Sequence, residues 1–455
     1  MEKYDALILG SGMGGLATGL LLAHKGKRVA ILEKNSRPGG RFTSFERDGF
    51  MLDLGVHIIS RGKNGPATTC LESTGLESPI DWMVIRPVQS TGGKIFKFPR
   101  DLEGMVPDED LKAVIQFVTD VKGLSEEEIM ALNDITLEEY LNRYTTNNIV
   151  HSCVSRVGDV YLVCPEWVAS AGEFARCLQW EASAKSSAYP AGGCVSVANA
   201  YADGFKHFGG ELYLDTKVAK VIVEGGKAVG AIGVDGKEWR ADMVISNADI
   251  KHTVLDLVGE EHFDEEYVNY VNGLEYSLCS PVVRIGLDTV LDSDIKMLGQ
   301  FYAPSQHEYY EMLAREEIPE ELNVFLVSPS NFDPATAPEG KQLVMLASPV
   351  EFMNDSFAEK YMEKMIDTAE GYIPGLREHA IFIDKSLPSQ IAASVGEGGS
   401  VIGVAQKPGQ VGSDRPKIKT PLDGLFLVGG EVEGSGVGVE LVVGTAMKFV
   451  ENYVD

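Results

Sequence analysis

The sequence predicts an α/β protein in which one domain is assembled from discontinuous segments and a second, α+β domain is inserted between them. Three observations lead there. The chain has 455 residues, more than one compact core accommodates. Its first forty residues run apolar stretch, glycine cluster, Ala/Leu-rich stretch, apolar stretch, the order of strand, turn, helix and strand. The same glycine-rich α/β texture returns after 189 and again near the end, separated by stretches of other character. The expected boundaries are 1–75, 189–275 and 395–455 for the first domain, and 76–188 with 276–394 for the second.

Taken in order, Ala6–Leu9 reads as a buried parallel strand, Leu16–His24 as a helix, and Lys27–Leu32 as a second strand closed by Glu33. Between the first two lies Gly10-Ser11-Gly12-Met13-Gly14-Gly15. In such a unit the first glycine permits a tight turn and the second lets backbone approach a pyrophosphate. The third lets helix pack on strand, and the helix N-terminus faces the phosphates. An acid about twenty residues on accepts from ribose hydroxyls, the place Glu33 occupies. The unit predicts a Rossmann-like, dinucleotide-binding domain.

Residues 100–185 pattern as helices, with a capping signal at Ser125. After "YPAGG" comes a helix through Phe208, then strands and hairpins punctuated by Gly-Gly and Asp-Gly up to Asp249. Residues 265–390 mix strands ("SPVVRIGLD", "NVFLVSP", "KQLVMLASPV") with a helix near 356–370. Residues 421–455 are strand, glycine turn and helix again.

Residues 6–24 carry no Asp, Glu, Lys or Arg, yet five of them are glycines that break the run, so neither a signal peptide nor a membrane span is expected. Six cysteines (70, 153, 164, 177, 194, 279) show no C-x-x-C and no metal-ligand spacing, which suits buried thiols in a reducing, cytoplasmic setting; no metal is expected. The net charge of −27 is unevenly spread: residues 1–61 hold nine Lys/Arg against six Asp/Glu. That local balance suits an anionic cofactor, while the acidic remainder argues against nucleic acid and gives no indication of a membrane surface as partner.

Only one full fingerprint is present; "GEGGSVIG" (396–403) and "GSGVG" (434–438) lie in other contexts. The residues after the fingerprint are distinctive: Gly39-Gly40-Arg41, then "DGFMLDLGVHIIS" (48–60). Together with "YPAGGCVSVANAYADGFKHFGGELYLDTKVAKV", "ADMVISNAD" and "LDGLFLVGGEVEGSGVGVEL", these segments resemble the phytoene desaturase family of flavoproteins, within the wider amine-oxidase-like group. The likeness spans both ends and the middle, and is least over 76–185 and 290–390.

The resemblance implies one FAD, wrapped by Gly10–Gly15, Glu33, Lys34, Gly39–Arg41, Gly55, Val56 and His57, Val218, Asn247, Gly430, Glu431 and Gly436, Val437 and Gly438. It implies hydride exchange between flavin N5 and a carbon of an apolar, polyene-like small molecule, in the desaturating or the saturating sense. No cysteine lies in the C-terminal segment, so noncovalent FAD is expected. An amine oxidase-like enzyme shares the cofactor half. A lipid- or prenyl-binding chaperone on the same fold is a third reading, which the intact flavin segments oppose.

Some residues carry two readings from sequence. His57 could touch flavin or substrate, or be a satisfied core residue. Arg284 could face the cavity, or be outward-facing or ion-paired, the latter being favoured. Trp167, Phe174 and Trp180 could line an apolar channel or form helix core. No catalytic acid or base is identified.

Overall fold

The computed structural model describes residues 3–184, 187–291, 294–351 and 353–454. Its first layer is a seven-stranded sheet drawn from three distant parts of the chain. Strand Lys3–Leu9 lies centrally, parallel to Val29–Leu32 on one side and Glu238–Ser246 on the other. Glu211–Tyr213 extends the sheet beyond Val29–Leu32, and Leu425–Leu427 joins the end of Glu238–Ser246, all in parallel. A Gly-Gly hairpin, Val218–Glu224 with Lys227–Gly233, adds an antiparallel edge.

Both faces of this sheet are covered, which is why its strands are continuously apolar. Ala6, Ile8, Val29, Ile31 and Ile245 pack under helices Met13–His24, Cys194–His207 and Gly438–Tyr453. Leu7, Leu9, Ala30, Leu32 and Val244 face the other way, against Leu257, Val258 and Leu425. The alternation follows the two-residue period of a strand.

A second seven-stranded sheet runs Ala380–Ser386, Val282–Leu287, Gln342–Ala347, Val324–Val327, Met297–Gln300, Val88–Thr91 and Lys94–Phe96. Its pairs are antiparallel except Met297–Gln300 with Val88–Thr91. One face packs on helix Asp355–Tyr372 through Val283, Ile285, Val344 and Leu346. The opposite face sends Met297, Phe325 and Val327 into the core of the first layer. Five helices between Asp108 and Ala184 form a third body around Phe117, Leu137, Tyr140, Val154 and Phe174. Capping boxes at Ser125 and Thr136 start two of them.

Differences from the sequence reading are at edges and in polar segments. The first helix begins at Met13, so part of the glycine cluster is already helical. Strands Val88–Thr91, Lys94–Phe96 and Met297–Gln300, and helices Glu265–Asn272 and Gln306–Ala314, carry too little period of their own to be read from sequence. No helix among the described residues is long and apolar enough to cross a membrane.

Candidate functional site

The glycine turn is held by protein atoms at very close range. Gly10 has φ of 95°, the left-handed region that glycine tolerates. A Cβ on Gly15 would lie 2.2 Å from the Gly10 carbonyl oxygen, one on Gly12 2.5 Å from Asn247 Nδ2, and one on Gly14 2.5 Å from Asn247 Oδ1. Asn247, just past strand Glu238–Ser246, thus fills the space the glycines leave, and Gly429 meets it from the other end of the chain. Ser11 and Met13 flank the turn at the start of helix Met13–His24, whose first N–H groups lack partners within the helix.

Glu33 is buried, and both oxygens are occupied. One accepts from Ser11 N (2.8 Å) and Ser11 Oγ (2.7 Å), the other from Asn35 N and Asn35 Nδ2 (2.8 Å each). The acid at the strand end therefore clamps the turn and the chain that follows the strand. Gly39 N donates to Ser11 O at 2.8 Å, and a Cβ on Gly40 would come within 3.1 Å of Gly12 Cα, so the Gly-Gly-Arg turn lies directly on the fingerprint. Lys34 is exposed, and partial desolvation of its ammonium lowers its pKa. Val218 opens the hairpin two residues after Thr216, whose N–H donates to Glu33 O at 2.7 Å.

The C-terminal segment is built differently. Strand Leu425–Leu427 leads through Gly429 and Gly430 to Glu431, which is buried. Its Oε2 accepts from Ile250 N at 2.8 Å. Its Oε1 has no hydrogen-bond partner and faces Arg41 Nη2 at 3.8 Å; Arg41 Nε is likewise buried and unpartnered. Burial and the nearby Asp249 carboxylate push the Glu431 carboxyl up, against Arg41 and Arg415. Arg415, almost fully buried, donates to four carbonyls: Val432 (3.1 Å), Val404 (3.3 Å), Gln410 (3.2 Å) and Gly430. Beyond it Gly436 (φ 93°), Val437 and Gly438 (φ 53°) open helix Gly438–Tyr453.

The segment after Gly-Gly-Arg forms a hairpin, Ser44–Arg47 with Phe50–Asp53, turning at Asp48-Gly49. Asp53 accepts from Ser44 Oγ (2.5 Å), Tyr189 OH (2.6 Å) and Cys194 N (3.0 Å). Arg284 is buried: it donates to the Asp53 and Leu54 carbonyls at 2.5 Å each, and at 2.8 Å to Asp384 and to Ser386. Its ion-paired reading holds, with an added task, since it fixes the backbone that leads into Gly55, Val56 and His57. The His57 ring meets Phe42 edge-on at 5.0 Å, its Nδ1 is buried without a partner, and burial lowers its pKa. Asp53, His57 and Cys194 have donor atoms within 4.8 Å of one another, a potential ligand set that sequence spacing hides.

The three aromatic residues singled out between 167 and 180 go to different places. Phe174 is helix core. Trp167 stacks on His307 at 4.0 Å. Trp180 reaches the loop at Gly436: the Arg61 guanidinium lies 4.0 Å over its ring, and a Cβ on Gly436 would meet it at 2.6 Å. Arg61 also donates twice to Glu440 at 2.8 Å, tying the segment after His57 to the first turn of the last helix.

Sequence reading missed Arg415, Glu173, Gln406 and Asp249. The first three hold the backbone of the segments that carry the expected site, and Asp249 acts on Glu431 through its charge. In sequence each is one polar residue among many; only the fold reveals which backbone groups or charges each one meets.

A glycine turn with free helix N–H groups, an acid at the next strand end, and a buried, unpartnered Arg41 Nε and Glu431 Oε1 suit a ligand with phosphates, ribose and further hydroxyls or ring nitrogens. FAD meets that description. Comparison with known proteins agrees. Residues 13–350 match the family described as flavin containing amine oxidoreductase. The chain is 23% identical over 482 residues to a lycopene-forming phytoene desaturase of Paracoccus sp., covering 97% of this chain and 95% of that one. It is 25% identical to a chloroplastic prolycopene isomerase of Arabidopsis thaliana, covering 94% and 78%. A crystal structure of an oxidoreductase from Methanosarcina mazei superposes with a TM-score of 0.77 at 21% identity, over 98% of this chain and all of that one. The chain belongs to the flavin containing amine oxidoreductase family and is an FAD-dependent oxidoreductase.

Proposed function

We propose that this enzyme exchanges hydride with a carbon of an apolar, polyene-like substrate, and that the first layer holds noncovalent FAD while the second sheet and the helical body hold the substrate. The observation that carries the reading is where the charges go. Arg284, Arg415 and the Arg61–Glu440 pair are committed to carbonyls or to carboxylates of the chain itself, while Met297, Phe325 and Val327 present apolar surface to the cofactor layer. Such a site favours a molecule recognised by shape and burial. The named functions of the desaturase and isomerase relatives fit it.

Bound FAD supplies the N5 position that takes or gives hydride. The chain supplies the rest. Glu33 would accept from the adenosine ribose, held in place by Ser11, and the first N–H groups of helix Met13–His24 would meet the pyrophosphate. Arg41 and Glu431 address the ribityl side. The N–H groups of Val437 and Gly438, at the start of the last helix, would stabilise the negative charge that a bound flavin acquires. Gly55, Val56 and His57 would lie behind the ring, and the apolar strand residues would exclude water. Six free, buried cysteines suit a cytoplasmic enzyme.

A second reading, oxidation of amines, is favoured by the family description itself. One experiment separates them: anaerobic mixing of the oxidised enzyme with panels of amines and of unsaturated isoprenoids, following loss of flavin absorbance. Bleaching by isoprenoids supports the proposal; bleaching by simple amines alone overturns it. If neither panel bleaches, the flavin is reduced first and unsaturated acceptors are offered. Reoxidation then supports the saturating sense, and none overturns the proposal.

A further inference from the structure

We propose that Glu173, on the helical body, is a positioning residue for the loop that meets the flavin. It lies in helix Ala171–Ala184 and is fully buried. Its Oε1 accepts the Gly436 N–H across 263 residues of chain, and Gln406 Nε2 donates to the carbonyl of the same residue at 2.6 Å. Gly436 is therefore gripped on both sides, at a φ of 93° that leaves the backbone no side-chain steric preference of its own. The next two residues, Val437 and Gly438, carry the first N–H groups of the last helix, so the direction of those donors depends on how Gly436 is held. Gln406 is tied back to the same helical body: Ser170 N donates to Gln406 O at 2.9 Å.

Nothing in packing alone requires a carboxylate here. Burial pushes the Glu173 carboxyl up; the Gly436 N–H offsets this most, then Arg176, whose Nε lies 3.4 Å away and which is itself paired outward with Glu126 at 2.6 Å. Removing Arg176 therefore weakens the helix packing but leaves the Gly436 contact in place, whereas removing Glu173 breaks both. That asymmetry makes the inference testable. It rests on FAD binding, which the wild-type protein reports in the same titration.

The experiment compares Glu173→Ala, Glu173→Gln and Arg176→Met by FAD titration, by visible circular dichroism of the bound flavin, and by thermal unfolding. The expected result is a loss of FAD affinity of about tenfold or more for Glu173→Ala, the scale of a charge-assisted hydrogen bond. Glu173→Gln, which keeps an acceptor oxygen, recovers part of that affinity with an altered flavin dichroism. Arg176→Met loses stability but binds FAD like the wild type. If Glu173→Ala does not fold, the Gln variant decides: unchanged affinity together with unchanged dichroism overturns the proposal. So does Arg176→Met losing as much FAD affinity as the Glu173 variants.

Discussion

The two halves of the proposed cofactor site are built by opposite means. At the N-terminus, Gly10 to Arg41 make the turn from local sequence: glycines in contact with one another and with Asn247, and an acid that clamps Ser11 22 residues away. At the C-terminus, Gly429 to Gly438 have little structure of their own. They are held by Arg415, Gln406 and Glu173, buried polar side chains whose bonds reach from the helical body and the loop after Ser400. One half is a motif that can be read; the other is a glycine-rich stretch made rigid by buried polar side chains that lie outside any motif. Sequence patterns report the first kind of construction well and the second poorly, because a buried Arg and a surface Arg look alike in a string.

If that contrast is right, the N-terminal half breaks by adding an atom. Gly15→Ala places a Cβ 2.2 Å from the Gly10 carbonyl, backbone against backbone, with no flexible neighbour to yield. The expected outcome is the largest of this set: FAD binding lost beyond detection in a flavin-fluorescence titration, with the second sheet and helical body still folded by circular dichroism.

The C-terminal half breaks by deleting a partner. Arg415→Met keeps most of the volume but orphans four carbonyls. Leaving a buried carbonyl without its donor costs about 1–3 kcal/mol, so a marked fall in denaturant midpoint is expected, together with weaker FAD binding. A variant as stable as the wild type contradicts the frame assigned to Arg415.

Glu33→Ala sharpens the comparison, because the structure gives that acid two jobs. Losing the ribose contact alone amounts to about ten- to a hundredfold in FAD affinity. Ser11 and Asn35 also lose their acceptor, so the apo-protein is expected to be destabilised as well, which thermal unfolding without added FAD checks.

The smallest expected effect lies outside both halves and serves as a control. His151 donates toward Glu166 (3.0 Å) and the Thr145 carbonyl (2.9 Å). Burial alone would lower its pKa, but the Glu166 carboxylate and the Thr145 carbonyl outweigh burial and raise it. A raised pKa favours the protonated form in the folded state. The stabilisation is thus full below the unfolded histidine value and is lost as pH rises through the folded one. His151→Phe is expected to flatten stability against pH in that window while leaving FAD affinity alone.

Legibility elsewhere in the chain obeys the same physical contrast. The central strands were legible because both faces are buried, giving continuous apolar runs such as Ala6–Leu9. Capping at Ser125 was legible because its partner Glu128 is three residues away. Strand Met297–Gln300 was not, since its apolar character is short and its identity comes from pairing with Val88–Thr91, some two hundred residues earlier. Asp53, His57 and Cys194 converge only through the Ser44–Asp53 hairpin and the start of helix Cys194–His207, so no spacing announces them.

The central claim is that both halves close around one noncovalent FAD. Its most direct test is to purify the protein, denature it by heat, and identify the flavin in the supernatant by chromatography and mass. The account predicts a yellow protein that releases FAD, close to one per chain. A colourless protein that also takes up no added FAD, release of FMN, or flavin that stays attached to the precipitate would contradict it.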